Sequence, residues 1–484
     1  MQLQTVLDEI QKRPGTGDTI PVFDPSTEEQ ITEFKDCGPE AVNDAVARAR
    51  ESFESGVWHG LPASERAKVL WRVGELIDEN ADVLAKLESL NAGMTPTQAQ
   101  GTVTVSAEFF RYYAGWCSKI EGIAADVHTG GLTGIDSHQH AYTLKEPYGV
   151  VGLIFPWNGP IFNFCAKLAP SLAAGCSSVV KPAEETPLTA LVLDRILTEA
   201  GVPDGVANLL LGYGHTAGAA ITAHPDVEKV AFTGSTEVGR EIVHAAGASN
   251  LKKVTLELGG KSPVVVFDDA DLKSAIPMAA FGTFIHSGQA CVCGSRIFVQ
   301  RSVFDRFVEG LANIANTLPQ GGPTEEGVII GPLISQKQLN RVLGYLDQGK
   351  SDGVEFVTGG HRRDRKGYFV HPTVVTNVAT TSRLFQEEIF GPVVSVIPFD
   401  DEDEAVALAN DTTYGLAATA WTSNLGRAHR IAKRLKAGTV GLNCQMQFDH
   451  SMPFGGYKQS GWGYESGKAG LETYLQTKIV WAQL

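Results

Sequence analysis

The sequence has no clean apolar run where it is most hydrophobic. Residues 150–180 include Pro156, Asn158, Pro160, Asn163 and Lys167, so the stretch reads as buried protein core and not as a membrane span. A surplus of positive charge is also missing. There are 40 Lys and Arg against 55 Asp and Glu, and the formal net charge of −15 argues against nucleic acid or an anionic membrane as partner. The cysteines are not arranged in pairs. Cys37, Cys117, Cys165, Cys176, Cys291, Cys293 and Cys444 are odd in number and scattered, which fits reduced thiols. Met1 to Glu9 carry neither the basic segment nor the apolar stretch of a secretory leader, so a cytoplasmic protein is expected.

What the chain does have is length and alternation. At 484 residues, with 43% hydrophobic residues and 52 glycines, it is too long for one core and predicts two or three packed units with many tight turns. Residues 39–53 and 64–90 have the apolar spacing of covering helices. Residues 126–148 change to short polar strands around Gly130, Gly131 and Gly134. There His138 and His140 alternate with Tyr142 and Leu144 as on an exposed ribbon, with no Cys or His partners near them for a metal.

From Tyr148 the order strand, turn, helix repeats. Strands are predicted at 149–155, 177–180 and 228–233, with helices at 161–174, 188–200 and 240–246. A second series follows Leu258, with strands at 263–267, 296–300 and 437–443 and helices at 275–285 and 303–318. This alternation predicts an α/β protein with doubly wound parallel sheets that bind ligands at the carboxyl ends of their strands. The final strand, 471–480, has nothing after it to pair with, so contact with another subunit is expected.

Cys291 falls in a turn between the helix that ends near Ile285 and the strand that starts at Arg296. An ordinary thiol titrates near ~8.5 and is a strong nucleophile as thiolate, but on these residues alone a buried small hydrophobe is an equal reading. Gly234-Ser-Thr-Glu-Val-Gly239 follows a strand and opens a helix. It suits a phosphate or is simply a tight turn. Lys181 and Glu184 leave a neighbouring strand end together. They are either a surface ion pair or a ribose site whose carboxylate repels a 2′-phosphate and so favours NAD over NADP.

Seven segments in order now resemble the aldehyde dehydrogenases over nearly the whole chain. They are Pro156-Trp-Asn158, Lys181-Pro-Ala-Glu184, Phe232-Thr-Gly-Ser235, Leu256-Glu-Leu-Gly-Gly-Lys261, Gly288-Gln-Ala-Cys291, Glu387-Glu-Ile-Phe-Gly-Pro392 and Pro453-Phe-Gly-Gly-Tyr-Lys-Gln-Ser-Gly461. The resemblance implies two doubly wound α/β domains and a small β oligomerisation arm. Residues 1–125 and 148–258 would bind the dinucleotide, 259–460 would be catalytic, and 126–147 with 461–484 would be ribbon and tail. It implies NAD as cofactor with NADP as the alternative, an aldehyde as substrate, no metal, and a homodimer or homotetramer. It also implies that Cys291 attacks the aldehyde, Asn158 and the Cys291 N–H hold the oxyanion, and Glu257 activates the water that releases the acid. Lys181 and Glu184 would take the adenine ribose, Gly234 and Ser235 the pyrophosphate, Glu388 the nicotinamide ribose, and Phe390 the nicotinamide, with Trp157 walling the same cleft. Cys293 reads as packing.

The chain departs from the family pattern after Asn158, where many relatives carry a bulky aromatic and this one has Gly159. With Phe162, Asn163 and Ala166 beyond it, and Phe448 and Phe454 at the mouth, the resemblance implies room for a bulky hydrophobic or aromatic aldehyde. Asp449 and His450 add polarity there that the sequence does not orient. Three other readings remain at this stage: acyl transfer to coenzyme A, which Glu257 argues against; a cysteine hydrolase using Cys291 with His286; and a silent relative serving as an interaction protein.

Overall fold

The computed structural model describes residues 3–128 and 138–483. Two parallel sheets and an antiparallel ribbon organise them, with the helices packed on the sheet faces. A two-stranded hairpin, β1 (Thr19–Asp24) with β2 (Glu29–Lys35), precedes four long N-terminal helices that follow α1 (Leu3–Ile10): α2 (Gly38–Glu54), α3 (Ala63–Glu79), α4 (Ala81–Ala92) and α5 (Pro96–Ala114).

The ribbon comes next. β3 (Ala124–His128) pairs antiparallel with β4 (His138–Pro147), setting His128 opposite His138 and Asp126 opposite His140. The alternating histidines find partners across the ribbon by stacking and hydrogen bonding. His138 stacks on His128 with centroids 4.9 Å apart, and His140 Nδ1 lies 3.0 Å from the Asp126 carboxylate. Gly130, Gly131 and Gly134 lie outside the described residues.

The first parallel sheet starts with β5 (Val150–Ile154), buried along its whole length, as its near-continuous apolar run requires when both faces are covered. β6 (Ser177–Lys181) and β7 (Ala207–Leu209) add on one side of it. The chain then crosses back, and β8 (Lys229–Thr233) and β9 (Lys253–Glu257) add on the other. The order reverses between β5 and β8, and the crevice of such a sheet lies at that reversal, beyond the carboxyl ends. α6 (Pro160–Ala174) follows β5, and α7 (Leu188–Ala200) and α8 (Ala219–Ala223) cover the crossovers. α9 (Thr236–Ala248) follows β8. It begins at Thr236, four residues before the sequence-based expectation, because Ser235 accepts the Val238 N–H and Glu237 favours the first turn.

The second sheet runs β10 (Pro263–Val266), β11 (Arg296–Gln300), β12 (Glu355–Thr358), β13 (Thr373–Thr376), β14 (Val393–Phe399), β15 (Ala417–Trp421) and β16 (Thr439–Leu442) in sequence, with spatial order β12-β13-β14-β11-β10-β15-β16. Only its edge strand β12 is antiparallel to its neighbour. α10 (Leu272–Phe284) connects β10 to the turn before β11.

Two C-terminal segments differ from expectation. Gly461–Trp462, assigned from sequence to the tail, forms β17 on the outer edge of the first sheet, opposite Leu256 and Glu257 of β9. β18 (Leu475–Gln483) finds its partner in its own chain, pairing antiparallel with β4 from Leu475↔Pro147 to Gln483↔Gln139. The expectation of a strand without an internal partner fails because β4 is an edge that only the folded chain reveals. Among the described residues no helix is long and apolar enough to cross a membrane.

Gly461 has φ +121°, and a Cβ there would lie 1.9 Å from the Leu256 carbonyl oxygen. Gly461→Ala is therefore expected to lower the thermal midpoint by roughly 1–3 °C, the scale of a strained backbone position in a chain of this size. A midpoint within a degree of the parent would contradict the close approach of β17 to β9.

Candidate active site

α10 ends at Phe284, and the chain enters a turn where His286, Ser287 and Gly288 have φ of +50°, +55° and +72° in succession. Two non-glycine residues in the left-handed region cost of order 1–3 kcal/mol each, so such a turn persists only if its surroundings fix it. Gln289, fully buried, does so. Its Nε2 donates to the carbonyls of His286 (3.1 Å) and Pro332 (3.3 Å), and its Oε1 accepts from Ile334 N–H at 2.9 Å. Ser287 Oγ adds a 2.5 Å bond to the Gly331 carbonyl. Cys291 follows this turn and is half-buried.

The turn after β5 meets the cysteine turn through Asn158, whose Nδ2 donates to the Gln289 carbonyl at 2.9 Å. An amide nitrogen carries two N–H groups, so this bond orients the amide and uses one of them. From the other side comes the link between β9 and β10. The Gly260 Cα packs against the cysteine turn so closely that a Cβ would lie 2.3 Å from the Cys291 carbonyl oxygen. Asn158, Cys291 and Glu257 are thus brought together from three distant parts of the chain.

Glu257, the last residue of β9, is 4% exposed and its Oε2 has no hydrogen-bond partner. Burial raises its carboxyl well above the usual range and repulsion from Glu465 adds to this, while Lys167 pulls the other way. Lys167, the one charged residue of α6 and completely buried, is ion-paired with Glu465 and donates to Thr233 Oγ1 at 2.6 Å. Glu388 accepts from Gly260 N–H at 2.9 Å, and burial pushes its carboxyl up to about 7. Burial first, then the charges of Glu388 and Glu257, drive the Cys291 thiol strongly upward. His286 is buried with both ring nitrogens unpartnered and is pushed down to about 4, so it is a neutral ring that makes no hydrogen bond to the thiol. The cysteine–histidine hydrolase reading loses its base.

Around the first sheet's reversal point lie the other predicted residues. Lys181 is buried at the end of β6, and its Nζ donates to the Pro182 carbonyl (2.7 Å) and to Glu184 (3.3 Å). Ser235 caps α9, and the Gly234 N–H donates to the Glu257 carbonyl at 3.0 Å. Trp157 and Phe390 meet edge to face, centroids 5.4 Å apart, with Phe390 at φ +59°. Cys293 is buried.

On the opposite flank Phe162 and Phe448 pack at 5.2 Å, joined by Phe109 of α5 and by His450. Asn163 donates to the Gly159 carbonyl at 2.9 Å, and Ala166 belongs to the hydrophobic core beneath α6. Phe454 is held by a pair of 2.7 Å backbone bonds to Glu465. Sequence reasoning missed Lys167, Thr233, Glu465, Gln289 and Phe109. The one usable signal was Lys167, a lone charge in an apolar helix.

The profile of the aldehyde dehydrogenase family matches residues 12–480. An aldehyde dehydrogenase of Emericella nidulans is 46% identical over 96% of this chain and 92% of its own length. The NAD+ complex of an aldehyde dehydrogenase from Bacillus cereus superposes with a TM-score of 0.95 at 40% identity, covering 100% of this chain and 99% of that one. A betaine aldehyde dehydrogenase from Staphylococcus aureus, also an NAD+ complex, gives 0.94 at 37% identity, covering 99% and 96%.

With the thiol raised, alkylation of Cys291 by iodoacetamide is expected to be slow at neutral pH and to climb about tenfold per pH unit without levelling below pH 9. Glu388→Gln removes a repelling charge and should raise the rate at pH 7.5. Peptide mapping distinguishes Cys291 from the other thiols, and a rate that levels off near neutrality would refute this electrostatic picture.

Proposed function

The chain belongs to the aldehyde dehydrogenase family and oxidises an aldehyde, and from that premise we propose that its electron acceptor is NAD, its nucleophile Cys291 and its substrate a bulky hydrophobic or aromatic aldehyde. The observation that carries this reading is the convergence of Cys291, Asn158 and the buried, unpartnered Glu257 carboxylate at the seam between the two sheets.

The residues at the reversal point fit a dinucleotide. The Glu184 side chain is 27% exposed and its contacts are Lys181 and a long 3.5 Å bond from Gly214 N–H, so it retains acceptor capacity for ribose hydroxyls. Its charge disfavours a 2′-phosphate. Lys181 and Glu184 would hold the adenine ribose, Ser235 and the N–H groups at the start of α9 the pyrophosphate beside Gly234, whose own N–H is taken by the Glu257 carbonyl, Glu388 the nicotinamide ribose, and Trp157 with Phe390 would wall the nicotinamide. When bound, NAD supplies the two-electron acceptor for the C–H bond broken in the tetrahedral adduct.

The chain's own residues do the rest. The half-buried Cys291 thiol loses its proton to water, Sγ bonds to the aldehyde carbon as the carbonyl π pair moves onto oxygen, and that negative oxygen is held by Asn158 Nδ2–H and the Cys291 N–H. Each such donor is worth about 3–4 kcal/mol of transition-state stabilisation. The thioester left after oxidation is opened by water. Glu257 takes the water's proton at its unpartnered Oε2, as a carboxylate of raised affinity for protons does well. The acid leaves and the thiol is restored. Lys167 and Glu465 set the charge behind Glu257. The exposed Ile479, Trp481 and Leu144 on the β18-β4-β3 ribbon favour a homodimer or homotetramer.

NADH should form from NAD and phenylacetaldehyde without coenzyme A, and Cys291→Ala should abolish it. Glu257→Gln should give one rapid equivalent of NADH and then almost no turnover, because the thioester cannot be hydrolysed. Turnover confined to short aliphatic aldehydes would discard the substrate class alone. Turnover only with coenzyme A would remove the hydrolytic role of Glu257.

A further inference from the structure

Between β16 and Phe454 the chain runs without helix or strand, and this segment carries the Phe448 ring, 39% exposed. A ring on such a segment keeps a fixed position only if the segment is tied down. His450 is the tie. Its Nε2 lies 2.8 Å from the carbonyl oxygen of Val105 in α5, which makes that nitrogen the protonated one. Its ring meets Phe109, also of α5, at 4.7 Å and 84°, and Phe448 at 5.3 Å and 82°. Its carbonyl accepts Gly467 N–H at 2.7 Å, and the Gly467 carbonyl accepts the hydroxyl of Tyr113, again from α5. Asp449 beside it is turned onto its own bend, its Oδ1 accepting Ser451 N–H at 2.8 Å.

We propose that His450 is a positioning residue: by hydrogen-bonding the Phe448 segment to α5 it fixes Phe448 against Phe162 and thereby sets the discrimination between bulky and short aldehydes. The proposal rests on reading Phe162 and Phe448 as the aldehyde wall. A side chain at 450 that keeps the donor keeps the wall in place. One that keeps only the ring loses the direct bond to α5 and leaves the segment held there through the backbone link by Gly467 and Tyr113 alone, so Phe448 shifts and a bulky substrate loses packing that a short substrate never had.

The test compares kcat/KM for phenylacetaldehyde and propionaldehyde in the full-length protein with NAD, for the parent, His450→Phe, His450→Gln and Phe448→Ala. In His450→Phe the ratio of the two specificity constants should fall about fivefold or more through KM for phenylacetaldehyde, with its kcat within about twofold. His450→Gln, whose amide can reach the Val105 carbonyl, should keep the ratio. An unchanged ratio in His450→Phe overturns the proposal, whether both activities persist or both decline together, and so does an equal fall in His450→Gln. Phe448→Ala separates the two levels of the argument: a ratio indifferent to it refutes the aldehyde wall itself, whereas a ratio that moves there but not in His450→Phe refutes only the tie.

Discussion

A carboxylate kept almost entirely out of water at the junction of two sheets is the constraint on which this structure turns. The backbone of Glu257 is fixed from both sides, by the Gly234 N–H on its carbonyl and by Gly461 across the β17–β9 pair. Its side chain ends in an oxygen without a partner. A protein selected only for stability would satisfy or remove such an atom, since an unpaired buried polar group costs about 1–3 kcal/mol. Here Lys167 is buried nearby to offset the charge, and Lys167 is in turn held by Glu465 and Thr233. Strand ends, α6 and the C-terminal turn are all drawn to one point to keep a carboxylate dry.

The polarity of the sheets explains why that point lies where it does. The first sheet offers its carboxyl ends, the turn after β5 with Asn158 and the turn after β8 with Gly234 and Ser235. The second offers its amino ends, because Cys291 precedes β11 and Glu388 and Phe390 precede β14. The chain passes from one sheet to the other in the few residues between Glu257 and Pro263. Gly260 permits contact with the cysteine turn there, and its N–H anchors Glu388. A shared seam of this kind sets the residues proposed for the dinucleotide, on one sheet, against the proposed nucleophile ahead of the other.

The sequence was most legible where one period dominated. The buried apolar runs of β5 and β11 and the helix from Leu188 to Ala200 stand where hydrophobic pattern placed them. Boundaries shifted where a single side chain decided the matter, as with Ser235 capping α9. Long-range pairing was not legible at all: nothing local in Leu475–Gln483 names β4 as its partner, and nothing in the short turn around Glu465 announces a contact with Lys167, 298 residues away. The motif residues were found through resemblance, but the groups that tune them were not, because a tuning contact depends on burial and distance that no spacing in the chain encodes.

The same distinction bears on the substrate. From sequence, Gly159, Asn163 and Ala166 imply width, but Asn163 bonds back to the Gly159 carbonyl and Ala166 packs into the core, so short side chains at these positions do not by themselves make space. What the fold adds is a wall of hydrocarbon. Phe109, Phe162, Phe448 and His450 meet at interplanar angles of 76°, 70°, 84° and 82°, so in each contact one ring's edge covers another's face. Recognition of a quaternary ammonium relies on open ring faces turned toward the charge. Here each of these contacts turns one face toward a neighbouring edge, and Asp449, the nearby negative charge, is turned onto Ser451. The aldehyde wall proposed above is thus built of aromatic rings, a surface that favours a hydrophobic group through burial.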